Sequence, residues 1–230
     1  LPMESGGAWF PHGSWVDVPR LVARLLQHPN ITLHCNTALR ALAKHSRWQA
    51  DTTQGTMQAD AVILACAHAC ADFAPLRLAA SAGQVSLVPV AQATATLQSI
   101  VCHRGYIIPE GEHYLVGATY DHEDLSGTVT ETNHAHNRAE AEAALPGWLQ
   151  SGTEGWKGRT SLRATTPDRL PYVGALGEGL YVSTGHGSRG LLSAPLGAEC
   201  IASLIAGEPV PLEREVWQAV TPSPSGRGQG

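Results

Sequence analysis

A glycine motif near the end of the sequence limits what this chain can fold into. Residues 181–192 read YVSTGHGSRGLL, in which Gly185, Gly187 and Gly190 form the pattern G-x-G-x-x-G. At the start of a dinucleotide-binding domain, a helix, a second strand and an acidic ribose ligand follow this pattern. The last glycine of the motif is residue 190 of 230, so we expect no room for those elements after it. The loop should therefore serve another purpose.

Three further interpretations of the glycine loop can be compared. A nucleophile elbow would use Ser188, but that triad continues with an acidic residue and then a histidine, and no His or Asp follows Ser188. In a second interpretation, the backbone N–H groups and the N-terminus of the next helix face negative charge on a ligand, which glycines can approach closely. The third is a turn that only packs a strand against a helix, since a single motif of this kind is a weak signal.

The first third of the chain has the pattern of an α/β fold. Asp17 is expected to cap a helix that ends at His28-Pro29-Asn30. The segment ITLHC then predicts a strand, and residues 47–60 predict a hairpin that turns at Gln54-Gly55. The continuous apolar run DAVILACA predicts a strand that is buried on both faces in a parallel sheet.

From about Gly83 the pattern changes to that of an antiparallel sheet. The segments GQVSLVPV, SIVCHRGYIIP and HYLVGATY alternate in polarity, and the last two are joined across Glu110-Gly111. A polar helix is predicted from about Thr132 to Leu145 and ends at Pro146-Gly147. Residues 158–184 predict further strands with a turn at Glu178-Gly179.

The chain then returns to a strand, the glycine loop and a helix. This helix is predicted from about Ser193 to Ala206, ends at Gly207, and has an apolar face formed by Leu196, Cys200, Ile201, Leu204 and Ile205. We therefore predict an α/β (α+β) fold in which an antiparallel substrate domain is inserted into a cofactor-binding domain. The predicted boundaries are 1–80 for the first part of the cofactor domain, 81–160 for the substrate domain, 161–217 for the return to the cofactor domain and 218–230 for a flexible tail.

Composition excludes few functions but sets a background. The net charge of −5 does not indicate a nucleic-acid binder as a whole, and the five scattered cysteines favour reduced thiols over a disulfide framework. No apolar run approaches the roughly 18 residues of a membrane span, and no signal-peptide pattern opens the sequence. We expect a cytoplasmic protein without a membrane partner. Because the sequence starts at Leu1 and runs directly into GGAWFPHG, we expect a fragment of a longer protein.

Several side chains outside the glycine loop are candidates for binding. Arg163 lies in the middle of a predicted strand, where burial of its charge requires an anionic partner, and a guanidinium can clamp a carboxylate with two hydrogen bonds. An exposed strand face or an internal ion pair would also explain it. Tyr106 either lies beside a ligand or fills the sheet, and His186 either touches a ligand or faces solvent. Cys66, His68 and Cys70 do not supply the four ligands of a structural zinc site, so no metal is predicted.

Six stretches of the sequence carry a resemblance to a known family. They are GGAWFPHGSWVDVPRL, ADAVILACAH, GQVSLVPV, GYIIPEGEHYLVGATY, LRATTPDRLPYVG and GHGSRGLLSAPLGAECIASLIAGEPVPL. With these the chain resembles the FAD-dependent amine oxidases of the D-amino-acid-oxidase type. More narrowly, it is similar to the oxidoreductase domain of bacterial bifunctional tRNA-modifying enzymes, which act on a carboxymethylaminomethyl group of the wobble uridine.

The resemblance implies an FAD/NAD(P)-binding-type domain with an inserted antiparallel sheet. It places the glycine loop at the flavin ring and Arg163 at a substrate carboxylate, with Tyr106 as a second catalytic residue. It implies FAD contacts at Gly13, Trp15, Ala38, Ala65, Ala67, Gly185, His186, Gly187, Ser188, Arg189, Gly190 and Leu191.

The resemblance also implies partners and alternatives. The family's pyrophosphate fingerprint would precede this sequence, so we expect a missing N-terminal FAD-binding segment and a fused methyltransferase domain. Ala67 stands where related sequences carry glycine, which makes close approach of the cofactor less assured at that point. The expected activity is oxidation of the C–N bond on tRNA with release of glyoxylate. A small-amine oxidase for glycine or sarcosine and a fragment that does not hold FAD are the alternatives.

Overall fold

The computed structural model describes residues 6–150 and 152–222, and the chain divides into two units. Unit 1 consists of Leu1–Leu33 and Ala82–Leu162, and unit 2 consists of His34–Ser81 and Arg163–Gly230. The predicted placement of residues 1–80 in one domain therefore differs from this division, because residues 1–33 group with unit 1. The described residues before His34 are all exposed, so none of them belongs to a buried core.

The helices and strands follow the predicted order, from α/β to an antiparallel sheet and back to a strand, the glycine loop and a helix. In chain order they are α1 (Val18–Leu25), β1 (Leu39–Lys44), β2 (Trp48–Thr52), β3 (Gly55–Ala59), β4 (Val62–Leu64), β5 (Ala79–Pro89), β6 (Val101–Cys102), β7 (Tyr106–Glu110), β8 (His113–Gly117), α2 (Glu131–Ala144), β9 (Lys157–Thr165), β10 (Tyr172–Gly177), β11 (Leu180–Thr184), α3 (Gly190–Ala206) and α4 (Arg214–Val220). Short 3₁₀ turns occur at Ala67–Asp72, Val90–Gln92 and Gly187–Arg189.

Unit 1 is built on a five-stranded sheet in the order β6-β7-β8-β5-β9. The pairs β6–β7, β7–β8 and β8–β5 are antiparallel, and the β7–β8 hairpin pairs Glu110 with His113, as predicted. Helix α2 packs on β8. Trp148 and Tyr114 lie edge to face in the core below it, with ring centroids 4.9 Å apart. Buried aromatic pairs of this kind contribute stability beyond the area that they bury.

The segment before His34 confirms one prediction and contradicts another. Helix α1 begins after Asp17, whose carboxylate accepts a hydrogen bond from the backbone N–H of Arg20 at 3.0 Å. The predicted strand ITLHC is wrong, because residues 31–35 belong to none of the three sheets in the described part of the chain. An apolar run forms a strand only where another strand offers its backbone, and this cannot be seen in five residues.

Unit 2 contains two three-stranded sheets. The first has the order β1-β2-β3, and its β2–β3 hairpin confirms the predicted turn. The second has the order β10-β11-β4, in which β4 runs parallel to β11 and β10 antiparallel to it. The parallel strand is therefore confirmed, but its predicted burial on both faces is wrong. Leu64 is buried and Ile63 is 48% exposed, because β4 is the outer strand of this sheet.

Helix α3 lies on β10 and β11 and differs from its prediction in two respects. It begins at Gly190, three residues before Ser193, and ends at Gly207 as expected. Its buried face is formed by Gly197, Cys200 and Ile201, whereas Leu196 and Ile205 of the predicted apolar face are exposed. The buried face is thus displaced around the helix axis toward Gly197. A Cβ at this position would lie 3.1 Å from Val173 Cγ2, so the absence of a side chain lets this face approach the sheet closely.

The final helices also correct two further expectations. By length and composition alone, the stretch Gly187–Ala206 could cross a membrane, with a mean hydropathy of 1.2, although no run of that length was expected. Arg189 and Glu199 interrupt this stretch, so the sequence shows no unbroken apolar run of that length. The predicted tail over 218–230 begins too early, because α4 continues to Val220, which is buried. Residues 223–230 of that tail lie outside the described residues.

Candidate functional site

Two loops of unit 2 meet at the edge where the parallel strands β4 and β11 end. Parallel strands share the edge of their carboxyl ends, and in α/β sheets ligands bind at that edge. Ala65 and Ala67 follow β4, and the glycine loop follows β11. The hydroxyl of Thr184 donates a 2.8 Å hydrogen bond to the carbonyl oxygen of Ala67 and joins the two loops. The predicted cofactor residues of these two segments therefore lie together.

Backbone geometry explains why glycines occupy this loop. Gly185 is buried with φ +74°, and a Cβ there would lie 2.7 Å from Thr166 Cγ2, which is too close for any side chain. Gly187 also has a positive φ of +54°. L-residues rarely adopt this region, so both positions favour glycine on conformational grounds. The loop is thus more than a flexible connection, although packing alone would explain Gly185.

The start of α3 fits an anionic group. Arg189 precedes the helix, and its side chain makes no capping hydrogen bond to the N–H groups of the first turn. A helix N-terminus carries a partial positive charge that stabilises nearby anions. Ser188, Arg189 and Leu191 are exposed at this end. The chemistry of these donors fits the negatively charged edge of a flavin ring.

The imidazole of His186 neither faces solvent nor points freely toward a ligand. Its Nε2 lies 3.0 Å from the hydroxyl oxygen of Ser183, and its Nδ1 lies 2.9 Å from that of Ser193. Burial lowers the pKa of His186 below its ordinary value. Both ring nitrogens form hydrogen bonds within the protein, so a hydrogen bond from this residue to a cofactor would come from its backbone. Sequence reasoning missed the two serines, because neither belongs to the glycine motif.

Arg163 lies on β9 close to the glycine loop. Thr165, two residues further along, forms an isolated antiparallel bridge with His186, and its Cγ2 lies 3.5 Å from the place of a Cβ on Gly187. Alternate residues of a strand share a face, so Arg163 lies on the same face as Thr165. Two residues span about 7 Å of strand, and a bridged pair is separated by about 5 Å. The half-buried Arg163 is therefore within side-chain reach of the loop.

Tyr106 belongs to unit 1 and begins β7. It lines a cavity of about 110 Å³ whose wall also includes Arg104, Tyr120, His136 and Glu140. The side chain of Tyr106 is half-buried, which agrees with both sequence interpretations, a residue beside a ligand and a filler of the sheet. Its catalytic role stays a prediction.

Three predicted cofactor residues lie outside the glycine loop and the β4 edge. Gly13 and Trp15 belong to the exposed segment before α1 in unit 1, where the N–H of Gly13 donates to the carbonyl oxygen of Phe10 at 3.0 Å. Ala38 precedes β1 in unit 2, and its N–H donates to the hydroxyl of Thr53 at 3.0 Å. No sequence motif had linked Ala38 to the loop, and its role, like those of Gly13 and Trp15, stays a prediction.

The cysteine pair near Ala67 has its own chemistry. The Sγ atoms of Cys66 and Cys70 are 3.5 Å apart, and the described residues contain no group of three side chains that could hold a metal ion. Cys66 is an exposed residue, but desolvation of its thiol by neighbouring groups, together with the hydrogen bond and charge of Cys70, raises its pKa to about 11. Because the thiolate is the nucleophile, Cys66 is a poorly reactive thiol at neutral pH.

Comparisons with known proteins agree with this geometry. The family model described as FAD dependent oxidoreductase (DAO) matches residues 2–204. The chain belongs to this family.

The most similar relatives considered are longer than this chain. The tRNA 5-methylaminomethyl-2-thiouridine biosynthesis bifunctional protein MnmC of Azoarcus sp. (strain BH72) is 37% identical over 96% of the chain, which covers 39% of that protein. The protein of the same name from Chromobacterium violaceum is 35% identical, with the same two coverages. The chain thus spans about two fifths of the length of these relatives.

Solved structures show the fold of the family. Glycine oxidase from Geobacillus kaustophilus matches with a TM-score of 0.68 and 23% identity, over 80% of this chain and 51% of that one. Iminodiacetate oxidase from Chelativorans sp. BNC1 matches with a TM-score of 0.66 and 19% identity, over 81% and 53%. At these identities the likeness establishes the fold, an FAD-binding-type α/β domain with an antiparallel sheet.

The raised pKa of Cys66 predicts slow alkylation. A shift from 9.0 to about 11 lowers the thiolate fraction at neutral pH by about a hundredfold. Cys35 and Cys66 are both exposed, so iodoacetamide should modify Cys35 well before Cys66 in the native protein because of the pKa alone, as followed by peptide mass spectrometry. Cys70→Ser should speed the alkylation of Cys66, because it removes a neighbour that raises the pKa. Equal rates at Cys35 and Cys66 in the unaltered protein would contradict this account.

Proposed function

We propose that this chain forms the ring-facing part of an FAD-dependent oxidoreductase that removes the carboxymethyl group from carboxymethylaminomethyl uridine at the wobble position of tRNA. The observation that carries the proposal is the position of Arg163, on the same strand face as Thr165, which bridges to His186 in the glycine loop. A carboxylate-binding cation beside a loop suited to a flavin is what oxidation of a carboxymethyl amine requires. Sequence identity of 37% to an MnmC protein over 96% of the chain supports tRNA as the substrate.

The residues of this chain would act by orientation and electrostatics. Arg163 would hold the substrate carboxylate through two charge-assisted hydrogen bonds and so fix the adjacent methylene group. Bound FAD would supply the oxidising power by accepting a hydride, that is two electrons and one proton, from that methylene carbon, while the amine nitrogen releases its own proton. The N–H group of Gly187 and the N-terminus of α3 would stabilise negative charge on the ring edge. Water then hydrolyses the resulting imine to glyoxylate and an aminomethyl uridine.

A further segment is proposed to complete the cofactor site. The chain aligns with only 51% of glycine oxidase, and β4 is the outer strand of its sheet. Parallel strands are normally covered on both faces, yet Ile63 is 48% exposed and Leu192 on α3 is 80% exposed. An N-terminal segment of the family fold that covers these apolar groups would also bring the pyrophosphate loop. A fused methyltransferase domain and a cytoplasmic location without a membrane partner belong to the same proposal.

The substrate is tested with the chain joined to the preceding segment of the Azoarcus relative. The joined protein should purify with bound FAD and release glyoxylate from tRNA that carries the carboxymethylaminomethyl group, but not from free glycine or sarcosine. If glyoxylate is released only from the free amines, the substrate is a small amine and not tRNA. A colourless protein that takes up no FAD would contradict the proposed function as a whole.

Arg163→Lys tests the carboxylate clamp. A lysine keeps the charge but loses the two-pronged geometry, so we expect kcat/KM for modified tRNA to fall about 10- to 100-fold. The FAD content should not change, because Arg163 is assigned to the substrate. Arg159→Lys, on an exposed position of the same strand, is the matched control and should leave kcat/KM unaltered. Equal rates for the Arg163 variant and the control would remove Arg163 from the site.

A further inference from the structure

The imidazole of His186 links both elements that flank the glycine loop. Ser183 belongs to β11, before the loop, and Ser193 belongs to the first turn of α3, after it. The distances from the ring to the two hydroxyl oxygens are 3.0 Å and 2.9 Å. The backbone of His186 is also bridged to Thr165 of β9. One side chain thus ties the strand to the helix across the loop, while its backbone is held from a third element.

The direction of each hydrogen bond follows from the donors available. The hydroxyl of Ser193 lies 3.0 Å from the carbonyl oxygen of Arg189, which can only accept, so Ser193 donates its single proton there. Ser193 must then accept from the ring, and Nδ1 of His186 must carry a proton. Burial lowers the pKa of His186, which favours the neutral ring with a free lone pair on Nε2. The hydroxyl of Ser183 is therefore the donor to Nε2.

This chain of bonds ends where the candidate anion-binding turn begins. It runs from Ser183 through His186 and Ser193 to the carbonyl of Arg189, one residue before α3 starts. The N–H of Arg189 in turn donates to the carbonyl oxygen of His186 at 3.1 Å. The orientation of the peptide groups between residues 186 and 190 is thus fixed from both sides. Fixed donors stabilise charge better than mobile ones, because they need not reorient when the charge develops.

We propose that His186, as its Nδ1–H tautomer, is a positioning residue that holds the glycine loop in the conformation that binds the flavin ring. This inference rests on the proposed function for the identity of the ligand, but not for the arrangement of the loop. Ser183 and Ser193 act through His186 and not on the cofactor. Histidine is required at this position because its ring accepts a hydrogen bond at Nε2 from the strand and donates one at Nδ1 to the helix.

The tautomer is tested without any cofactor. The protein is labelled with ¹⁵N-histidine, and the signal of His186 is assigned by its loss in His186→Gln. At neutral pH the ¹⁵N chemical shifts and the couplings to ring protons should show a protonated Nδ1 and an unprotonated Nε2. A protonated Nε2 on a neutral ring, or protons on both nitrogens, would overturn the proposal.

Ser193→Ala tests the positioning role itself. The loss of the acceptor for Nδ1–H should speed amide hydrogen exchange at Gly187–Leu191. It should also weaken the binding of FAD to the joined protein described above by about tenfold. Ser193→Thr keeps a hydroxyl that can bond both partners and should restore both properties. Ser203→Ala, in the last turn of the same helix, is the control and should change neither.

The outcomes separate this inference from the proposed function. Unchanged loop exchange and unchanged FAD affinity in Ser193→Ala would overturn the positioning role, even if the enzyme oxidises modified tRNA. If the joined protein takes up no FAD, the proposed function fails, and so does the flavin part of this inference. Faster loop exchange in Ser193→Ala, with rescue by Ser193→Thr, would then still establish that His186 holds the loop.

Discussion

The parallel pairing of β4 with β11 is the constraint on which the candidate site depends. It joins Val62–Leu64 to Leu180–Val182, two segments far apart in the sequence, and brings their carboxyl ends to one edge. The hydrogen bond from Thr184 to the carbonyl of Ala67 extends this pairing into the two loops. A slip of one residue would turn every side chain of β4 to the other face and separate the loops from each other. The buried Leu64 and Val182 oppose such a slip, because both would lose their packing in the core.

The electrostatics of unit 2 at this edge are set by groups that cannot easily change. The start of α3 contributes the partial positive charge of a helix N-terminus, and Arg163 contributes a full charge from β9, on the strand face that meets the loop. A neutral His186 adds no further charge and serves geometry instead. Two sources of positive potential on separate elements suit two negative partners, a ring edge and a carboxylate. Such fixed charges act most strongly where water is excluded.

Local patterns predicted much of this fold, and contacts distant in sequence account for what they missed. The hairpins, α1 and the polar helix α2 depend on turn residues, caps and alternation within about ten residues, so their patterns are visible in the sequence. ITLHC was wrong because a strand needs a partner. The apolar face of α3 was right at Cys200 and Ile201 and wrong at Leu196 and Ile205, because the close approach at Gly197 helps to decide which side meets the sheet. The glycine loop and Arg163 were recognised as separate motifs. Their connection through Thr165 and His186, and the two serines around the ring, depend on tertiary structure that no short pattern encodes.

The central claim is that the loop after β11 lies against a flavin ring, and backbone amide signals of glycine test it most directly. The joined protein, in which the chain follows the preceding segment of the Azoarcus relative, is labelled with ¹⁵N-glycine, stripped of FAD and then titrated with FAD while its amide spectrum is recorded. The account predicts that the signals of Gly185, Gly187 and Gly190 shift on binding, while the signal of Gly207, at the opposite end of the 17-residue helix α3, keeps its position. Saturating FAD that leaves the three loop glycines unshifted and moves other signals would contradict it.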